Sequence, residues 1–213
     1  MDKLIYKSWD DITISLYKQI LEITEDKQLS ATEINLAILA LLMGIEEDEI
    51  YDYSVEEIQN LLPGLAFLND FKFNQNWNSK KIVINGRNYS VETDLQKMTI
   101  AQYVDFQTYW AKKDNVKFLS NLLSCFIIPK GCKYNEGYDI AELIDTIENN
   151  LPITTANSIL FFFLKESVTS IRAIQICLDW MLNRKKTKEN QEQIMKLQIQ
   201  MNQLFQEVFN GFL

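Results

Sequence analysis

Signals for helix starts recur along this chain closely enough to dictate a fold of short helices. A capping residue followed three positions later by an acid or amide occurs at Ser8 with Asp11, Ser30 with Glu33, Ser54 with Glu57, Thr99 with Gln102 and Asp139 with Glu142. In such a box the first side chain accepts from the backbone N–H three residues on, and the acid or amide reaches back to the cap's own N–H. Two of the donors that a first helical turn leaves without partners are thereby satisfied.

Each box is followed by apolar residues at helical spacing. After Ser8 come Ile12, Leu16, Ile20 and Ile23; after Ser30 come Ile34, Ile38, Leu41, Leu42 and Ile45, with Gly44 where a left-handed residue would end the helix. The helix from Ser54 carries Val55, Ile58, Leu61 and Leu62 and is expected to stop at Pro63-Gly64. Farther on, Ile100, Tyr103, Val104, Phe106 and Trp110 are expected to face one way, and a helix through Phe118, Leu119, Leu122, Leu123 and Phe126 to follow. Ile140, Leu143, Ile144 and Ile147 follow Asp139, a helix opens near Thr154, and another carries Ile171, Ile174, Leu178 and Met181. The fold class is mainly α, a multi-helix bundle.

One stretch breaks the helical pattern. Lys81-Ile82-Val83-Ile84, the pair Asn85-Gly86, and Arg87 to Val91 predict a small β-hairpin over 81–91, because a two-residue type I′ turn needs positive φ at both positions. The hairpin divides the chain into an N-terminal helical unit (1–68), a connecting segment (69–96) and a C-terminal helical unit (97–213), or decorates one continuous domain. In the last stretch Ile194, Leu197, Met201, Leu204 and Val208 stand at heptad spacing, so this amphipathic segment is a candidate for binding its own domain, a partner or a second copy.

The chain of 213 residues has no histidine, which removes Ser-His-Asp, Cys-His and His-ligated zinc chemistry. Cys125, Cys132 and Cys177 are odd in number and form no CxxC pair, as expected of free thiols in a reducing cytoplasm. A net charge of −8 disfavours nucleic acid and anionic membranes as partners. The start, MDKLIYKSWDD, turns polar before a signal-peptide core forms, and the longest apolar runs fall short of the ~20 residues that span a bilayer. Glu46-Glu47-Asp48-Glu49 lacks the alternating ligands and central Gly of a calcium loop, and acids before a helix already favour its positive end. No cofactor or metal site is expected.

The stretch FIIPKGCKYNEGYD at 126–139 concentrates polar groups between two glycines. It fails the phosphate-loop template, whose Lys and hydroxyl must follow the second Gly, whereas here Gly137 is followed by Tyr138. Pro129-Lys130-Gly131 is read as the stop of one helix and Asn135-Glu136-Gly137 as a turn toward the Asp139 cap. Lys130, Lys133, Tyr134 and Tyr138 then remain as side chains that a partner could meet.

Two segments carry a family resemblance. LSATEINLAILALLMGIEEDEIYDYSVEEIQNLLPGLAFL (29–68) resembles tail assembly chaperones of tailed bacteriophages in its apolar helix closing at a Gly, its acidic turn and its second short helix. KMTIAQYVDFQ (97–107), followed by 126–139, is similar to a companion pattern in related phage proteins. The resemblance covers about half the chain. It implies a non-enzymatic assembly protein of the infected cell's cytoplasm that binds other virion proteins, such as the tape measure. The alternatives are a structural component built into the virion as a homo-oligomeric ring or packaged protein, and an enzyme that uses Lys130, Lys133, Tyr134 or carboxylates in place of His.

Overall fold

The computed structural model describes residues 4–75, 77–92, 94, 97–112 and 116–163. The heptad-spaced Ile194, Leu197, Met201, Leu204 and Val208, with Cys177 and the stretch from Ile171 to Met181, lie outside the described residues. What is described is mainly helical with a small antiparallel sheet, as the sequence predicts.

Helix α1 (Ile14–Glu25) starts five residues later than its first box implies. Its cap is Thr13, whose hydroxyl accepts from the Leu16 N–H, while Ser8 and Asp11 close a separate turn in which Asp11 Oδ2 accepts from the Lys7 and Ser8 amides at 3.0 Å each. The same oxygens that would cap a helix here tie down the approach to it. Helix α2 (Ala31–Met43) has the full Ser30–Glu33 box and ends at Gly44, whose φ of 69° is the left-handed value expected. A 3₁₀ turn (Glu47–Asp52) leads to α3 (Val55–Leu61), which starts from the full Ser54–Glu57 box. As expected, α3 ends just before Pro63-Gly64, and a second 3₁₀ helix (Leu62–Asn69) follows with Pro in its first turn, where its missing N–H costs nothing.

The hairpin forms as read. Strand β1 (Lys81–Ile84) pairs with β2 (Arg87–Val91) across Asn85 and Gly86, with φ of 47° and 72°. Ile82, Ile84, Tyr89 and Val91 turn inward. A third strand, β3 (Ile127–Pro129), pairs antiparallel with β2 and corrects the reading of this run as a helix end. The preceding helix α5 is only Leu119–Ser124, and Phe126 is buried beneath the turn that hands the chain from helix to sheet. Helix α4 (Ile100–Trp110) keeps its Thr99–Gln102 box. Helix α6 (Ile140–Asn150) starts from Asp139, which bonds the Ala141 N–H, while Glu142 pairs with Arg87 instead of closing a box. Residues 153–163 form a further helix, α7.

One hydrophobic cluster runs from Ile12 and Ile14 through Leu39 and Leu42 of α2, Ile84 and Val91 of the hairpin, and Leu123, Ile147 and Ile159. Helical unit, hairpin and later helices therefore share one core among the described residues. A second cluster joins Phe106 to Leu122, Cys125, Phe126 and Phe163, with the Phe126 and Phe163 rings 4.1 Å apart. Between α1, α5 and α6, Lys18 Nζ donates to Glu148 at 2.7 Å and to the Lys117 carbonyl at 2.8 Å, and the Ser120 hydroxyl donates to the same Glu148. This partly buried pair ties α1 to α6 and, through Ser120, to α5.

Candidate functional site

The 127–139 connection leaves the sheet at Pro129, turns at Gly131, and turns again through Asn135 and Gly137, all three at positive φ. Lys133 and Glu136 form a one-residue antiparallel bridge within it. The local chemistry explains this shape: Gly and Asn occupy the left-handed positions that other side chains avoid.

These turns separate the four predicted side chains. Tyr134 points beneath α4, where its hydroxyl donates to Asp105 Oδ2 at 2.6 Å. Burial foremost, and then the Asp105 carboxylate, raise its pKa, so the phenol keeps its proton at neutral pH. Beside it the Cys125 thiol is buried outright and its pKa is pushed up to about 12 by desolvation, the neighbouring Asp105 charge adding to this and the Tyr134 hydroxyl opposing it. A thiol in that state is a packing group, not a nucleophile. Tyr138 lines a separate cleft, and its hydroxyl accepts from the Asn135 N–H at 3.2 Å. Lys130 is exposed at the edge of an open cleft of ≈ 340 Å³ that it shares with Arg87, Tyr138, Asp139 and Glu142. Lys133 is 85% exposed, with its nearest carboxylate, Glu136, at 3.9 Å. Lys130 and Tyr138 thus meet at one cleft, while Tyr134 and Lys133 diverge from it. No group of Cys, Asp and Glu among the described residues could hold a metal ion, and no described helix is long and apolar enough to cross a membrane.

Two further surfaces expose apolar side chains. The first is the outer face of α4. The expected single face is split: Gln102 and Phe106 point inward, and Ile100, Tyr103 and Val104 are 79%, 48% and 53% exposed. Gln102 is buried because both ends of its amide are used, the oxygen accepting from Thr99 N at 2.8 Å and the nitrogen donating to the Cys125 carbonyl at 3.1 Å. With a polar residue committed to the interior, the apolar stripe at i, i+3 and i+4 is left outside.

The second is a groove of ≈ 740 Å³ between α1, α2 and the second 3₁₀ helix, with Tyr17, Leu21, Ile34 and Leu62 on its walls and Trp9 and Phe71 at one end. Trp9 meets Tyr17, Phe67 and Phe71 edge-on, with ring centroids 5.9, 5.9 and 4.8 Å away. Burial and then the nearby Glu25 charge raise the Tyr17 pKa.

Sequence reasoning passed over both surfaces. The α4 face was legible as three apolar residues whose helix already had Gln102 as a box partner. The groove had no local signal, since its walls come from separate segments. Compared with protein-family models, curated proteins and solved structures, the chain matches none of them.

Proposed function

We propose that the protein works by binding other proteins through apolar helix surface, in the manner of a phage tail assembly chaperone, without catalysing a reaction. The observation that supports this is the α4 face, where Ile100, Tyr103 and Val104 form one stripe in solvent on a helix whose other side is fixed in the core. Such a stripe is the usual anchor of helix-to-helix recognition, and covering it would remove apolar area from water at ~25 cal/mol per Å². The phage setting rests on the resemblance of 29–68, 97–107 and 126–139. On that reading the partners are other virion proteins, the tape measure among them, met in the host cytoplasm.

The test combines mass in solution with capture from phage-infected cells, for the native chain and for Ile100→Asp with Val104→Asp. A monomer that captures a long helical virion protein, and loses it in the double variant at unchanged melting temperature, supports the chaperone role. A stable multimer that the double variant dissolves would point to a structural component of the virion. If mass and capture are both indifferent to the two substitutions, α4 is not the binding surface.

A further inference from the structure

We propose that the groove between α1, α2 and the second 3₁₀ helix takes a basic amphipathic helix from another protein. Its form fits such an occupant. The wall supplied by α1 runs from Tyr17 to Thr24, which at ~1.5 Å per residue is about two helical turns, the length of an i, i+3/i+4, i+7 row of anchors. The volume of ≈ 740 Å³ lies within the range of functional clefts. The lining mixes the apolar side chains of Ile20, Leu21, Ile34 and Leu62 and the paired rings of Trp9 and Phe71 with the polar Thr24, Asn35 and Asn69.

The charge around the groove selects the sign of the occupant. No residue lining the groove is charged, so the charges that bear on it are those beside it, in a segment (residues 1–69) whose sequence holds 14 Asp and Glu against 4 Lys. On α1, Glu22 and Glu25 are exposed, while the one cation of that helix, Lys18, is held by Glu148 on the side toward α6. Asp70, next to the groove, has Lys72 as its neighbour in an exposed pair. A helix with Lys and Arg flanking its apolar stripe gains from this field, and an acidic helix of the same shape is repelled. This surface is distinct from the α4 face, and neither assignment needs the other.

The full chain is titrated by fluorescence anisotropy against three labelled peptides of about 15 residues, long enough to form a helix once bound. One has Leu at helical spacing with Lys elsewhere, one the same spacing with Glu in place of Lys, and one the Leu/Lys composition scrambled. The first is expected to bind, more weakly as salt is added, and the other two about tenfold more weakly or worse. Ala66→Trp and Asn35→Trp fill the groove from exposed positions, and each should lower affinity about tenfold or more with the melting temperature unchanged. Should one variant fail to fold, the other decides. Ile100→Asp should have no effect on this binding. The proposal is overturned if no peptide binds, if the scrambled peptide binds as well, or if both groove variants bind like the native chain. It is overturned equally if the native chain self-associates and the groove variants abolish that, since the occupant is then a second copy.

Discussion

Gln102 offers the sharpest test of how α4 is fixed. Its side chain is 3% exposed and bridges Thr99 N and the Cys125 carbonyl. Replacing it by Ala removes two hydrogen bonds, each with a net contribution of about 1 kcal/mol, and deprives a buried carbonyl of this donor, so the expected loss is about 3 kcal/mol at any pH between 5 and 8. Gln102→Glu behaves differently. The carboxylate still accepts from Thr99 N but turns an acceptor toward the Cys125 carbonyl, in a site where a charge is costly. Burial would raise the new carboxyl by about 2–3 units above its unfolded value of ~4.3, at ~1.4 kcal/mol per unit. The sign follows from linkage. Well above the raised pKa the variant is destabilised by the full ~3–4 kcal/mol; as pH falls toward the unfolded value the acid protonates, donates to the carbonyl, and the deficit fades. Urea unfolding followed by far-ultraviolet circular dichroism at pH 5 and pH 8 measures both variants. If the deficit of Gln102→Glu is absent, or identical at the two pH values, the bridge is refuted and with it the reason that Ile100, Tyr103 and Val104 face outward.

Three further outcomes are expected. Gly86→Ala should cost about 1 kcal/mol in thermal unfolding, because φ is 72° and an added Cβ meets nothing within 4 Å, leaving only the conformational term; an unchanged melting temperature would contradict the type I′ turn. Ser30→Ala should cost about 1 kcal/mol through the lost cap, and that deficit should shrink in acid: hydrogen bonds from the Ser30 hydroxyl and backbone hold Glu33 below its ordinary 4.5, a contribution present above that value and lost as pH falls through the lowered one. Thermal unfolding at pH 7 and pH 3 checks both parts. Iodoacetamide at pH 8, followed by peptide mass mapping, should alkylate half-exposed Cys132 in the folded chain and Cys125 only on unfolding; equal rates would contradict the buried thiol with pKa about 12.

What the sequence made legible was local. The boxes at Ser30, Ser54 and Thr99, the left-handed Gly44 and the Asn85-Gly86 turn are each decided by residues within four positions of one another, and all form as read. Errors arose where a distant partner decides. Ile127 and Ile128 are as compatible with a helix end as with a strand, and only Val91 and Ser90 of β2, far earlier in the chain, make them β3. Phe106 and Val104 are equally apolar, and their opposite fates follow from Phe126 and Phe163 receiving the ring of one of them. The candidate loop shows the same limit: Lys130 and Tyr138 were recognisable as surface groups, but the destination of Tyr134, Asp105 on α4, lies 29 residues away.

The short seam between the start of the chain and α7 bears on how the molecule is made. Thr13 bridges Pro152, Ile153 N donates to Ile12 O at 2.8 Å, and Ile14 N donates to Leu151 O. The Thr154 hydroxyl reaches Asp10 across 144 residues of sequence. On a ribosome adding ~5–20 residues per second, Ile12 would emerge roughly 7–30 s before its partner exists. The seam must therefore close late, and Ile12 and Ile14 spend that interval without the Leu151–Ile153 backbone that eventually pairs with them, while the hairpin that shares their core is made earlier.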